Sequence, residues 1–146
     1  MNANMIDSDT LRAIEWTQNW KNLTPTYRFL ARYGSIPSIR IISPEQFMKL
    51  FGATGKDGLH TNLFGNCRIY ISQKTDCPVV ILTHEFVHHL HHGMSEEEAT
   101  KEALELLRKV IKQHTGIDRR WRDTGSSWSV ILPKTDTRNG DVGLKN

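Results

Sequence analysis

An HExxH sequence at residues 84–88 carries the side chains of this chain that are best suited to chemistry. On a helix, His84 and His88 lie about one turn apart, so both imidazoles project from one face and can bind one metal ion. Glu85 stands beside this pair, where a glutamate can accept a proton from water that a zinc ion has polarised. The pattern therefore predicts a zinc centre with His84 and His88 as ligands and Glu85 as the general base of a hydrolysis.

The residues around the motif strengthen this prediction, because a five-residue match alone is a weak indication in a chain with seven histidines. An almost wholly apolar run, residues 79–82, leads into the motif. Asp76 is a candidate N-cap, Pro78 is tolerated in a first helical turn, and Gly93 follows as a helix stop. We expect a buried helix over residues 79–92, in surroundings that favour metal ligands over free surface histidines.

A third ligand is required, because catalytic zinc generally has three protein ligands and one open position. A second helix is predicted over residues 95–114, since Ser95 and Glu98 match an S-x-x-E capping box and Gly116 stands just past its end. Its acidic first turn follows the HExxH helix after a short connection and is expected to pack back against it. Glu96 in that turn is the first candidate for the third ligand.

Other residues compete for the third position. Simple hairpin geometry brings Glu98 or Glu102, deeper in the second helix, level with His88, although Glu98 also has a capping role. His91 and His92 follow His88 by three and four residues, so either one extends the metal-binding face or lines the mouth of a cleft. The residues alone leave these alternatives open.

Residues 96–107, with the sequence EEEATKEALELL, resemble a segment of the ImmA/IrrE-type metallopeptidases. In that family, which belongs to the wider gluzincin group, HExxH is followed by E-x-E-A-N-x-F-A-x-x-L-L. The resemblance also takes in the extended segment ending at residues 69–71 and the residues 82–83 before the motif, about the middle third of the chain. Thr100 and Glu102 depart from the Asn and Phe that are common in the family.

The resemblance implies a role for each residue of the site. It assigns Glu96, the first glutamate of the E-x-x-A-N pattern, as the third zinc ligand beside His84 and His88, with Glu85 as the general base. It implies Zn²⁺ as the cofactor and a regulatory protein, such as a repressor, as a substrate. Cleavage by this family is peptide hydrolysis, so the resemblance predicts a peptidase.

Hydrophobic periodicity and turn residues predict a mixed set of elements around this unit. The elements are helices at residues 7–23, 26–33 and 44–51, and strands at residues 38–42, 59–64, 67–72 and 128–132. Thr24 and Pro25 are expected to end the first helix and to separate it from the second. The predicted fold class is α+β, a small zincin-like metallopeptidase domain with a short, mostly antiparallel sheet, the HExxH helix and a following helix that bears the glutamate. We expect one domain over residues 1–132 and a polar, flexible tail over residues 133–146.

The strand at residues 67–72 lies just upstream of the HExxH helix, and its side chains alternate between two faces. A strand edge beside a zinc centre can hold an extended substrate by main-chain pairing, whereas an ordinary edge strand is the alternative. Tyr70 on this strand is a candidate substrate-binding residue, because zinc peptidases use an additional hydrogen-bond donor for the developing oxyanion.

The remaining cysteines and histidines have simple structural interpretations. Cys67 and Cys77 match no C-x-x-C pattern, so both are expected to be reduced and partly buried. His60 and His114 are expected on the surface or in loops. His89 is expected to point away from the metal-binding face of its helix.

Composition places the chain among ordinary folded proteins, with 38% hydrophobic and 24% charged residues. The net charge of +3 comes largely from basic residues towards the C-terminus, and a solvated tail accounts for it better than nucleic-acid binding does. No apolar run approaches the roughly 18 residues of a membrane span, and residues 1–10 show no secretory start. We therefore expect a cytoplasmic protein with neither a nucleic acid nor a membrane as its partner.

The predicted function is zinc-dependent hydrolysis of peptide bonds in a peptide or protein substrate, with Glu85 as general base. The alternative is a zincin-fold regulatory or partner-binding protein with a structural zinc and no turnover. A third hypothesis, a histidine-rich segment that sequesters metal, predicts several equivalents of bound metal per chain.

Overall fold

The computed structural model describes residues 7–52, 57–63, 65–122 and 130–132. A short 3-10 turn at Trp20–Asn22 joins the first two helices. In chain order the other elements are α1 (Ser8–Gln18), α2 (Leu23–Leu30), β1 (Ser38–Ile42), α3 (Pro44–Phe51), β2 (Gly58–Leu63), β3 (Asn66–Ser72), α4 (Pro78–Leu90), α5 (Glu96–Thr115), β4 (Arg120–Arg122) and β5 (Val130–Leu132). Helices and strands are thus mixed along the described chain, and the α+β class is confirmed.

The three-stranded sheet has the order β1-β3-β2 and is mixed. Strands β2 and β3 form the predicted antiparallel hairpin, whereas β1 pairs with β3 in parallel. The prediction of a mostly antiparallel sheet missed this parallel pairing, because the crossover through α3 leaves no mark in the local sequence. Strands β4 and β5 pair separately and are antiparallel. The predicted tail, residues 133–146, lies outside the described residues.

Local capping residues set the ends of two helices as predicted. Ser43 with Gln46 forms a complete capping box at the start of α3, and Ser95 with Glu98 forms another at the start of α5. Each pair satisfies two backbone groups that have no partner inside the helix. Gly116 has a φ of 78° and ends α5 in the left-handed conformation.

Several helix boundaries differ from the sequence prediction, including the end of α4, which lies at Leu90 instead of residue 92. The first helix ends at Gln18, and Pro25 lies inside the first turn of α2 instead of interrupting a helix. A proline is tolerated there, because its missing N–H would have no partner within the helix. Asp76 is not the cap of α4; Cys77 occupies that position and makes no capping hydrogen bond through its side chain.

Helix α4 lies at the centre of the described structure and packs against α1, α2, α5, β2 and β3. Every residue of α4 from 78 to 87 is buried, and only its C-terminal part is accessible to solvent. Burial on all sides explains why its N-terminal half is apolar without a periodic polar face. Among the described residues, each helix is too short or too polar to cross a bilayer.

Candidate metal centre

Helices α4 and α5 bring His84, His88 and Glu96 together where the two helices meet. His84 Nε2 lies 3.0 Å from Glu96 Oε2, and His88 Nε2 lies 2.9 Å from Glu96 Oε1. The two histidines project from one face of α4 because they are separated by about one helical turn. One ligand atom from each of the three residues falls within 4.8 Å of the other two. The structure therefore brings together the three residues that the sequence singled out.

The connection between the helices explains why Glu96 reaches the histidines. Gly93 has a φ of 86°, a left-handed conformation that lets the chain turn sharply after α4. Ser95 then caps α5, so Glu96 is the first residue of the helix and stands nearest to the turn. Glu98 is occupied by the capping box, since its Oε1 accepts a hydrogen bond from the Ser95 N–H at 3.3 Å. Glu102, two turns along α5, is exposed to solvent.

These three side chains fit a zinc ion. Two imidazole nitrogens and a carboxylate are one of the usual protein ligand sets of catalytic zinc. Tetrahedral zinc with N and O ligands at about 2.0–2.1 Å separates those ligand atoms by roughly 3.3 Å. The observed 2.9 and 3.0 Å are close to that value, although they join the two rings to different oxygens of Glu96. One ligand atom from each residue lies within 4.8 Å of the other two, so the side chains would have to move closer together to bind one ion.

Exposure changes across the centre from buried to open. The side chain of His84 is 10% exposed, that of His88 is 25% exposed and that of Glu96 is 70% exposed. A site of this shape holds His84 in the core and His88 at its edge, while its glutamate faces solvent. The arrangement leaves a solvent-facing side on which water and a substrate can approach.

Glu85 lies beside the histidines and is buried, with 8% of its surface exposed. Its Oε2 atom is 3.6 Å from His84 Nδ1, on the opposite side of that imidazole from Glu96. A carboxylate held in this way can take up a proton without first reorganising a large shell of water. Glu85 is thus a direct neighbour of His84, and its role as general base stays a prediction.

Gly58, in β2, is a site residue that the sequence prediction missed. A Cβ atom at this position would overlap Ile81 Cγ2, and it would lie 3.3 Å from both Cγ and Oε2 of Glu85. The absence of a side chain thus lets β2 lie directly against α4 beside the proposed base. The predicted strand began only at residue 59, although a glycine within a strand often marks a close approach by another segment.

Tyr70 lies away from the centre. It follows Ile69 on β3, and the alternation of a strand directs the two side chains to opposite faces of the sheet. Ile69 is paired with His60, whose ring contacts α4, whereas the Tyr70 ring packs on Phe51 of α3 with 4.9 Å between ring centroids. This position argues against the predicted substrate-binding role of Tyr70.

The strand predicted to receive a substrate is also not an edge. β3 lies between β1 and β2, so both of its edges are paired. Within the described residues, β2 pairs only with β3 and is the edge strand nearest to α4. The edge position that was predicted for the strand at residues 67–72 is therefore occupied by β2.

A second group of metal-binding side chains lies near the C-terminal end of α4. His60, Cys67 and His89 each place one ligand atom within 4.8 Å of the other two. Burial and the neighbouring histidines lower the pKa of His60 to about 4. The sequence interpretation missed this group, because it arises from three separate elements and matches no linear motif.

Comparisons with family models, with curated proteins and with solved structures found no match for this chain. The resemblance to the ImmA/IrrE-type metallopeptidases therefore stays a prediction that rests on residues 84–88 and 96–107. What can be said of the site comes from its own geometry and from the chemistry of its side chains.

Proposed function

We propose that this chain is a zinc-dependent peptidase in which His84, His88 and Glu96 bind the metal and Glu85 is the general base. The observation that carries the proposal is the position of the Glu96 carboxylate, which lies 3.0 and 2.9 Å from the two Nε2 atoms of the HExxH histidines. Glu96 completes the ligand set from a different helix, so the HExxH sequence is supported by an independent part of the chain.

The chain's own side chains divide the chemistry between them. When bound, Zn²⁺ supplies Lewis acidity, which makes water a nucleophile near neutral pH. His84, His88 and Glu96 hold and orient the ion. Glu85 accepts the proton of the attacking water on its carboxylate and passes it to the leaving amine as the peptide bond breaks.

The free edge of β2 supports an extended peptide as the substrate. Within the described residues, the edge of β2 that faces away from β3 has no strand partner. An extended peptide can add to such an edge through main-chain hydrogen bonds. Gly58 on this strand lies against Glu85, so a peptide paired here would run close to the proposed base.

An open groove beside Glu96 supports a further contact with a substrate side chain. The groove has a volume of about 420 Å³ and is lined by Glu96, Glu97, Thr100, Lys101 and Leu104. Its wall combines an apolar side chain with charges of both signs. Most of its exposed lining is apolar, so the groove suits a substrate side chain with an apolar part.

The decisive experiment compares the zinc-loaded wild type with Glu85→Gln. Both are incubated with denatured casein and with a proteome-derived peptide library, and new peptide termini are counted by mass spectrometry. We expect Glu85→Gln to retain zinc and to lose cleavage by about 10²–10⁴-fold, because the general base is removed while the metal ligands remain. Glu102→Gln removes an exposed carboxylate from α5 and is the matched control, which should cleave like the wild type.

Two outcomes would contradict the proposal. New termini that are equally abundant with wild type and Glu85→Gln would show that cleavage does not use this glutamate. A zinc-loaded wild type that produces no new termini at all would favour the non-catalytic alternative, in which the same centre holds a structural zinc.

A further inference from the structure

His60, Cys67 and His89 meet on a different face of α4 from the proposed catalytic centre. His60 Nε2 lies 3.2 Å from His89 Nδ1, and the Cys67 Sγ atom lies within 4.8 Å of one nitrogen of each ring. All three residues are half-buried. The group is therefore neither a set of freely moving surface side chains nor part of the apolar core.

The strand register explains why two of these residues share a face. In the β2–β3 hairpin, His60 is opposite Ile69 and Cys67 is opposite Asn62. Directly opposed residues point to the same side of a sheet, and so do residues two apart on one strand. His60 and Cys67 are thus diagonal neighbours on the face that packs against α4.

Helix periodicity brings the third residue to the same place. His89 follows His88 directly, so its side chain is rotated by about 100° around the helix axis. That rotation takes His89 away from Glu96 and towards the hairpin, where its ring centroid lies 5.1 Å from that of His60. The adjacent residues His88 and His89 therefore belong to two separate clusters.

The ligand types suit a transition metal of the zinc kind. A cysteine thiolate and two imidazoles are ligand types that suit zinc and copper and are too soft for Mg²⁺ or Ca²⁺. Two imidazole nitrogens on tetrahedral zinc are separated by roughly 3.3 Å, which is close to the observed 3.2 Å. His92 lies just past the C-terminal end of α4, with its ring centroid 5.7 Å from that of His60.

We propose that His60, Cys67 and His89 form a second zinc site, with His92 available as its fourth ligand. The site would fasten the β2–β3 hairpin to the C-terminal half of α4. Because β2 also contains Gly58, which lies against Glu85, a metal at this position would hold the proposed substrate-binding edge in place. The ligand set itself does not depend on the peptidase proposal and stands if that proposal fails.

The first experiment measures zinc content in the intact chain after saturation with Zn²⁺ and removal of the excess. We expect two equivalents in the wild type and one in Cys67→Ala. The double variant His84→Ala/His88→Ala should also retain one, held by the second site. Cys77→Ala is the matched control and should retain two, because Cys77 lies next to Thr75 at the start of α4 and its thiol has a pKa raised to about 11 by burial.

A second experiment needs no variant and therefore does not depend on how a mutant folds. Zn²⁺ should protect Cys67 from alkylation in the wild type, with the modified peptides identified by mass spectrometry. Replacement of zinc by Co²⁺ should give a thiolate-to-cobalt charge-transfer absorption. This absorption should persist in the control Cys77→Ala and in His84→Ala/His88→Ala.

Two results together would overturn the proposal. Alkylation of Cys67 at the same rate with and without saturating Zn²⁺, together with a cobalt spectrum that lacks the charge-transfer absorption, would exclude a thiolate ligand. In that case His60 and His89 form only a hydrogen-bonded pair. The proposed catalytic centre would be unaffected, because it contains no sulfur ligand.

Discussion

Neighbouring side chains of α4 have different roles because each residue advances the helix by about 100°. His84 and His88 face Glu96, Glu85 lies on the far side of the His84 imidazole against β2, and His89 faces the hairpin. The direction in which each side chain points therefore separates residues that are close in sequence. At the scale of the residue, position around the helix separates the proposed metal ligands, the proposed base and the second cluster.

Gly58→Ala tests the close contact between β2 and α4. The added methyl group would overlap Ile81 Cγ2, and we expect a loss of about 1–3 kcal/mol in the free energy of unfolding through overpacking. The variant should also show lower peptidase activity, because β2 must move away from Glu85. Urea denaturation of the metal-free protein gives the stability, and the casein assay gives the activity.

Ile81→Ala provides the matched control for this contact, since it removes the atom that the new methyl group would overlap. In the double variant the two losses should be less than additive, with a coupling of about 0.5–3 kcal/mol between positions 58 and 81. Strictly additive losses in the free energy of unfolding would mean that the side chains at positions 58 and 81 do not interact.

At the scale of the element, the start of α5 determines where Glu96 lies. The Ser95 Oγ atom accepts a hydrogen bond from the Glu98 N–H at 3.1 Å, and the Ser95 N–H donates one to the Glu98 carboxylate at 3.3 Å. This reciprocal pair begins the helix at Glu96, which lies directly after the capping residue. The cap is thus a structural device and, in our proposal, also positions a metal ligand.

Ser95→Ala tests this double role. Loss of the cap should lower the free energy of unfolding by about 1 kcal/mol. It should also weaken zinc binding at the first centre, because the first turn of α5 frays and Glu96 loses its fixed position. Zinc affinity can be measured by competition with a coloured chelator, and stability by urea denaturation.

Ser43→Ala is the matched control, because Ser43 and Gln46 form the same capping box on α3. A similar loss of stability with unchanged zinc affinity is expected there. If both variants weaken zinc binding equally, the effect of Ser95→Ala comes from general destabilisation and not from the position of Glu96.

At the scale of the whole molecule, α4 is both the centre of the core and the element that bears both clusters. Its buried half contacts helices on one side and the sheet on the other. Its accessible last turn, residues 88–90, carries His88 and His89. A metal ion at either cluster therefore connects α4 to a second element, α5 at the first centre and the β2–β3 hairpin at the second.

Metal removal should consequently destabilise the whole fold. Free zinc at a hundred times its Kd stabilises the native state by about 2.7 kcal/mol for each site. For a chain of this length we expect a rise in Tm of roughly 5–11 °C per site, measured by calorimetry with zinc and with a chelator. The control His91→Ala, which removes an exposed histidine next to the end of α4, should keep the full shift.

The double variant His84→Ala/His88→Ala should lose the part of that shift that belongs to the first centre. An unchanged Tm on chelation of the wild type would contradict strong metal binding to the native state at both clusters. The comparison has to be made at one zinc concentration, because the stabilisation depends on it.

The sequence by itself determined what is local in this protein. HExxH, the S-x-x-E box and the glycine after α5 act over three to five residues, and helix geometry converts such spacings into faces and ends. For this reason His84, His88 and the start of α5 at Glu96 could be predicted. The assignment of Glu96 over Glu98 also drew on a family resemblance, and the geometry agrees with it.

Only the tertiary structure decided what joins distant parts of the chain. The parallel pairing of β1 with β3, the contact of Gly58 with Glu85 and the meeting of His60 with His89 depend on strand register and on how the sheet packs against α4. The face that Tyr70 occupies, against Phe51, likewise follows from the sheet as a whole. Long-range packing leaves no fixed spacing in the sequence, and this is why these contacts could not be predicted from it.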